Sequence, residues 1–223
     1  MIVPFGDEAL LVVLGEVIDA AVNQQAHAVA RGVRAARDES WHSPWGVPVP
    51  SYASVLVPYD AASIDEAEAT RRLTALVART ARTAQASVEI EGPVQDIAVR
   101  YGNADGPDLE TVADRTGLTT DQVIEAHAST VYTVYLLGFV PGFAYLGILP
   151  PELELPRRNE PRLRVPRGSV GIAGRQTAVY PFETPGGWHL IGRSDAVLWD
   201  SRRESPSLLR AGQRVRFVPE PRA

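Results

Sequence analysis

Six arginines, Arg157, Arg158, Arg162, Arg164, Arg167 and Arg175, fall within nineteen residues, opposed in that stretch only by Glu160. A guanidinium is a planar fork of donors that grips a carboxylate or a phosphate with two hydrogen bonds. In a chain whose formal net charge is −5, this local excess of cations stands out. Two readings stay open: an anion pocket or docking surface, or a solvated basic edge whose strand arginines point outward with period 2.

His127 is the candidate for proton transfer. It sits in "DQVIEAHAS", one turn after Val123 and Ile124, so it belongs to the apolar side of its helix. A histidine there is either a hydrogen-bonded core residue or an acid–base group tuned near neutrality. His27, His42, His127 and His189 show no H-x-x-x-H or H-E-x-x-H spacing, and the chain has no cysteine, so no metal site is expected. "LGFVPGFAYLG" places Phe139, Phe143 and Tyr145 between turn residues, which suits either an aromatic pocket lining or a barrel core. Ser169 and Ser194 lack a readable base, and no G-x-S-x-G elbow appears.

The stretch Gly168–Arg193 holds six glycines and two prolines, with Gly168, Gly171 and Gly174 at every third position. A dinucleotide loop needs G-x-G-x-x-G between a strand and a helix, and a P-loop needs a lysine. The chain has 22 arginines and no lysine, and no helical pattern follows these glycines. Turns and barrel corners account for them better than a phosphate cradle.

Elements must position these groups. "ALLVVL" (Ala9–Leu14) reads as a strand, Ile18–Arg37 as an amphipathic helix, Tyr52–Asp60 as a strand, and Ser63–Thr80 as a helix opened by a Ser63/Glu66 capping box. "SVEIEG" (Ser87–Gly92) completes a β-α-β-α-β order. Gly92-Pro93 is a plausible boundary. Beyond it, "QDIAVRY" starts a strand, and two short helices follow around Asp108–Arg115 and Thr119–Ala128, the second with a Thr119/Gln122 capping box. From Tyr132 helical periodicity gives way to short β-type runs: "VYTVYLLGF", "LRVP", "SVGIAG", "TAVYPF", "WHLIGR", "AVLWD" and "RVRFVP". Such runs between Gly and Pro punctuation predict a barrel or sandwich.

Composition sets the outer limits. With 223 residues, 45% hydrophobic and 22% charged, the chain can bury roughly 70% of its unfolded surface without staples. The acidic balance disfavours nucleic acid. No apolar run reaches the ~18 residues that span a bilayer, and "MIVPFGDEAL" lacks the features of a signal peptide. The expectation is a cytoplasmic protein with neither membrane nor nucleic-acid partners.

The segments "GPDLETVA", "GLTTDQVIEAH", "YLLGFVPGFAYLG", "PRRNEPRLRVPRGSVGIAGRQTAVYP" and "PGGWHLIGR" resemble, in order, the family called allophanate hydrolase subunit 1, the 5-oxoprolinase B subunit (PxpB) or KipI, the carboxyltransferase domain subdomains C and D. "GDEALLVVLG" and "PSYASVLVPYD" resemble its N-terminal half. The resemblance implies an α+β protein: a small N-terminal α/β sandwich over residues 1–92, then a C-terminal cyclophilin-like β-barrel over 93–223. It implies a subunit, inactive alone, of a bacterial ATP-dependent 5-oxoprolinase that hydrolyses 5-oxoproline to glutamate. The implied partners are a subunit 2 (PxpC-like) chain, itself cyclophilin-like, and a LamB/YcsF-type (PxpA-like) chain. ATP would be a co-substrate of the whole complex, with no metal or prosthetic group in this chain. The alternative, also implied, is a KipI-like regulator that inhibits a sensor histidine kinase and needs only a docking surface.

Opening a lactam with ATP calls for cations to hold carboxylate and phosphates, and for a proton shuttle. By residue type, Arg157, Arg162, Arg164 and Arg175 are the candidate anion binders, with Phe139, Phe143, Tyr145, Tyr180 and Trp188 lining the substrate site. His127 is the candidate shuttle, and Gln176 would orient the substrate amide.

Overall fold

In Ala9–Val13 (strand β2) and Ser54–Pro58 (β4) every second side chain is buried, which is how a sheet with one covered face reads. The computed structural model describes residues 1–84 and 93–221, and the chain divides into two compact units, Met1–Ile90 and Glu91–Ala223.

In the first unit, Ile2–Pro4 (β1) and Val49–Pro50 (β3) flank the two central strands in the order β1-β2-β4-β3, antiparallel throughout. Helix α1 (Ala20–Asp38) starts at Asp19, whose carboxylate accepts the N–H groups of Ala21 and Val22. Buried Asn23 donates from its amide to the Ser51 and Tyr52 carbonyls, pinning α1 to the turn before β4. Leu10, Val12, Val55 and Val57 of the sheet share a core with Ala26, Val29, Ala30 and Val33 of α1 and with Ala69 and Leu73 of α2 (Glu66–Ala84).

The two-layer α/β arrangement is as expected, but the element order is not. Edge strands β1 and β3, of three and two residues, are too short to show a period, and the sheet is two antiparallel pairs, β1–β2 and β3–β4, joined through β2–β4 rather than a β-α-β-α-β unit. The expected strand Ser87–Gly92 lies outside the described residues. The Ser63/Glu66 capping box is also absent. Asp65 caps α2 instead, its Oδ1 accepting the Glu68 N–H at 2.8 Å, while the Ser63 hydroxyl turns back to donate to the Asp60 carboxylate. A carboxylate one residue before the helix outcompetes a hydroxyl three residues before it.

The second unit is a closed barrel of seven strands, described here in chain order: Gln95–Tyr101 (β5), Val131–Leu137 (β6), Ala144–Gly147 (β7), Ser169–Ala173 (β9), Gln176–Val179 (β10), His189–Arg193 (β12) and Arg214–Pro219 (β13). The order around the barrel is β10-β7-β6-β13-β5-β12-β9, with β13 and β5 parallel and the other neighbours antiparallel. Ile97, Val134, Leu146, Ile172, Ile191, Val215 and Phe217 fill the interior. Helices α3 (Leu109–Thr116) and α4 (Thr120–Ser129) add Val112 and Val123 to that core. The Thr119/Gln122 capping box opens α4 with both reciprocal bonds.

Two sequence expectations shift here. "LRVP" forms β8 (Arg162–Val165), which leaves the barrel and pairs only with β11 (Thr184–Gly186) as a separate ribbon among the described residues. "AVLWD" forms no strand beyond a single Trp199–Ser207 bridge. The glycines shape corners: Gly168 has φ +82°, and a Cβ there would lie 2.2 Å from the Ser194 carbonyl oxygen. Gly174, with φ +54°, makes the β9–β10 turn, while Gly171 lies within β9.

Candidate functional site

The arginine cluster splits into two kinds of side chain. Arg162 donates from both terminal nitrogens to Asp108, to Oδ1 and Oδ2 at 2.8 Å each. Arg158 adds a bond to Oδ1 at 2.9 Å, and the Leu190 backbone N–H donates to Oδ2 at 2.7 Å. Asp108, only 4% exposed, is therefore held by four hydrogen bonds across three segments. Burial pushes its pKa up, but the Arg162 bonds, the Leu190 N–H and the two guanidinium charges outweigh it and hold the carboxyl below its usual range. Arg162, expected as a substrate binder, thus has both arms occupied by Asp108.

Arg157 is different. It is exposed and makes no ion pair among the described residues. Its neighbours in the chain are tied down. The Arg158 N–H donates to the Gly187 carbonyl at 2.8 Å. The His189 Nε2 lies 3.0 Å from the Pro156 carbonyl, which can only accept, so Nε2 carries the proton. Its Nδ1 is buried without a partner, and burial lowers the His189 pKa against the opposing influence of the Pro156 bond and Asp108. The strap from Pro156 to Arg162 therefore presents Arg157 from fixed anchors on both sides.

The Arg157 charge reaches two phenols of a buried aromatic cluster. Phe143 packs edge-on against Tyr145 (ring centroids 4.8 Å), Tyr180 (5.3 Å) and Trp188 (6.0 Å), within a buried group that includes Val165, Ala173 and Ala178. Burial raises the Tyr145 and Tyr180 phenols, the latter to about 12, and the Arg157 charge opposes the rise at both. The structure gathers four expected residues, Phe143, Tyr145, Tyr180 and Trp188, in one cluster that the Arg157 charge reaches, with Phe139 at the rim, 5.4 Å from Phe143; Phe143, Tyr180 and Trp188 are buried, so they form core rather than an open site lining. Arg164 projects into solvent, 3.8 Å from Glu183. Arg175 lies in the β9–β10 turn, 3.8 Å from Glu154. Gln176 is a buried β10 residue paired with Ala173 and Gly147.

His127 stands apart. It is fully buried and stacked on Phe217 at 4.5 Å. The Thr177 hydroxyl donates to the Gly171 carbonyl, so His127 Nε2–H donates to Thr177 Oγ1 at 2.9 Å, and the Tyr101 hydroxyl donates to Nδ1 at 2.7 Å. One neutral tautomer satisfies every group. Burial lowers its pKa to about 3. The expected shuttle is a core residue here, fully buried and with its charge change far below neutrality.

Sequence reasoning missed Asp108 and His189. Asp108 reads as a helix N-cap, yet its side chain caps nothing and turns to the arginines instead. Only the fold brings positions 108, 158, 162 and 189 together. No group of three or more His, Asp or Glu residues suited to a metal occurs among the described residues, and no helix there is long and apolar enough to cross a membrane.

Comparison with known proteins places this architecture. The B subunit of the Bacillus subtilis 5-oxoprolinase is 38% identical over 222 residues, covering 96% of this chain and 90% of that protein. The B subunit of the Escherichia coli O157:H7 5-oxoprolinase is 56% identical over 134 residues, 60% of this chain and 62% of the relative's own length. Among solved structures, TTHA0988 superposes with a TM-score of 0.79 at 36% identity, covering 96% of this chain and 40% of that one. The model of the carboxyltransferase domain, subdomain C and D, matches residues 1–209, and the chain belongs to that family.

Proposed function

We propose that this chain is the B-type member of an ATP-dependent 5-oxoprolinase, inactive alone, working with a subunit 2-type chain and a LamB/YcsF-type chain. The observation that carries this reading is the alignment with the B subunit of the Bacillus subtilis 5-oxoprolinase across 90% of that protein. The geometry supports a division of labour. An exposed guanidinium without an ion pair among the described residues, whose charge reaches the Tyr145 and Tyr180 phenols, suits one small carboxylate such as that of 5-oxoproline. It suits a triphosphate poorly. Arg158 and Arg162 are occupied by Asp108, the chain has no lysine, and the glycines form corners rather than a cradle. In this reading Arg157 holds the substrate carboxylate, and most of the charge on ATP is met by other chains.

The test is glutamate release from 5-oxoproline, measured with and without ATP, for this chain alone and with both partners. Release is expected only from the full set with ATP. No release from the reconstituted set sinks the proposal.

A further inference from the structure

Arg167 has a fixed backbone and an unpartnered side chain. Pro166 to Ser169 form a turn closed by the Ser169 N–H on the Pro166 carbonyl at 3.2 Å. Gly168, at φ +82°, takes its third position, where a positive φ calls for glycine. Gly168 donates to the Tyr180 carbonyl at 2.7 Å and accepts the Ser194 N–H at 2.8 Å. The Arg193 Nε donates to the Arg167 carbonyl at 3.0 Å. The Arg167 guanidinium itself is exposed and makes no hydrogen bond or ion pair among the described residues. It is one of the six clustered arginines, and neither the Asp108 joint nor the reading of Arg157 uses it.

Arg167 shares its surroundings with two more arginines. Arg100, Arg167, Arg193, Ser194 and Asp195 line one cavity of about 330 Å³. Arg100 on β5 and Arg193 on β12 are register partners on neighbouring strands, so their side chains leave the sheet on the same face. Like charges placed this way repel. Carboxylates offset part of the repulsion. Asp105 lies 3.0 Å from Arg100 Nε and 3.9 Å from Arg193 Nη1, and Glu220 lies 3.4 Å from Arg100 Nη1. The third carboxylate, Asp195, accepts from Arg100 Nη1 and Nη2 at 2.7 and 3.1 Å. The Arg100 bonds and charge hold the Asp195 carboxyl below its ordinary range, and the charges of Arg193 and Arg167 add to this. An anion at that spot therefore feels all three arginines. Yet the Asp195 side chain is 81% exposed, and an ion pair so exposed is weakly held.

We infer that the cavity between Arg100, Arg167 and Arg193 is a binding site for a single phosphate group, with the Asp195 carboxylate as its built-in competitor. A carboxylate offers two oxygens in one plane and fills one guanidinium fork, as Asp195 does on Arg100. A phosphate monoester presents three oxygens and carries roughly −1.5 to −2 at pH 7, so it suits three forks at once. With Asp195 displaced, three guanidinium groups face two carboxylates, Asp105 and Glu220, neither of which lines the cavity. The grip comes from the arginines. Gly168 serves to let the Arg167 turn close on Ser194, whose carbonyl oxygen would lie 2.2 Å from a Cβ there. The site shares no residue with the Arg157 strap and does not depend on the functional reading above.

The experiment titrates inorganic phosphate and glycerol phosphate separately into the full chain by calorimetry, at constant low ionic strength, beside the melting temperature of each variant. Arg167→Gln removes a side chain without partners, so its melting temperature should match wild type while affinity falls by about tenfold. Asp195→Asn should act in the opposite direction and tighten binding by roughly two- to fivefold, because the competing carboxylate is gone. Arg164→Gln, at an exposed arginine outside the cavity, should bind like wild type. Binding of inorganic phosphate with this pattern supports the site and assigns the free ion as sufficient. Binding of glycerol phosphate alone, with the same pattern, supports it and assigns a phosphate ester. Binding of neither overturns it. So does unchanged affinity in Arg167→Gln, absence of tightening in Asp195→Asn, or an equal loss in Arg164→Gln.

Discussion

Arg162 grips the Asp108 carboxylate with both arms of its guanidinium, 2.8 Å to each oxygen, across 54 residues of sequence. With Arg158 and the Leu190 N–H on the same carboxylate, this joint ties the start of α3 and strand β12 to the strap that carries Arg157. Its energetic weight lies in what its loss leaves behind: two guanidinium groups and a backbone N–H without their acceptor.

Asp108→Asn is therefore expected to destabilise the chain by about 2–4 kcal/mol, toward the lower end for a broken buried pair because both arginines are partly exposed. Urea unfolding at pH 7 reads this as a lower midpoint. Adding Arg162→Gln should cost less than its own separate effect, because the two share one interaction. An unchanged midpoint in Asp108→Asn would show that the joint contributes nothing.

Arg157→Gln separates function from stability. The side chain is exposed and without an ion pair, so the unfolding midpoint should move by no more than about 0.5 kcal/mol. In the proposed 5-oxoprolinase complex, loss of a charge-assisted contact of about 1.5–3 kcal/mol should raise KM for 5-oxoproline by roughly ten- to a hundredfold. A KM equal to wild type places the substrate carboxylate elsewhere.

Acid should loosen the barrel through His127. Its folded pKa is about 3 against about 6.5 unfolded, so between those values the unfolded chain binds the extra proton. The stability from keeping it neutral is complete above about pH 6.5 and falls as pH drops, with a limiting slope of about 1.4 kcal/mol per pH unit. Asp108, held below its usual range, adds a loss only at the acid end, as pH falls through its folded value. Urea midpoints from pH 7.5 to 4.5 should decline in wild type and decline less in His127→Gln, which has no imidazole to charge. Equal slopes would mean that another group carries the acid response.

Gly168→Ala tests a corner. The new methyl group would meet the Ser194 carbonyl oxygen at 2.2 Å in a backbone with φ +82°, so at least about 2 kcal/mol of stability should be lost. A melting temperature within a degree of wild type would show that the corner relaxes freely.

Fold class and the elements with strong local signals were legible in the chain. The α1 stripe of Val22, Ala26, Val29 and Val33, the Thr119/Gln122 box and the β runs around Val170–Ile172 and Val215–Phe217 each follow from a period or a cap that neighbours in sequence impose. The Ser63/Glu66 box misled because Asp65, adjacent to the helix, offered the stronger acceptor. Strands β1, β3 and β11, of two or three residues, carry too few side chains to show a period, and they exist because a neighbouring strand offers a ladder.

The sequence by itself determined the material of the site: arginines instead of lysines, no thiol, and aromatics set among turns. It could not assign roles among six arginines, because a guanidinium's role depends on which carboxylate reaches it. Tertiary structure decided that Asp108 takes Arg158 and Arg162 and leaves Arg157 free. It also decided that His127, at a helix position open to either role, is sealed by Tyr101, Thr177 and Phe217, which approach from three different strands. Periodicity fixes which face a side chain takes. Charge and proton chemistry depend on what stands opposite, and that is set by contacts between residues far apart in the chain.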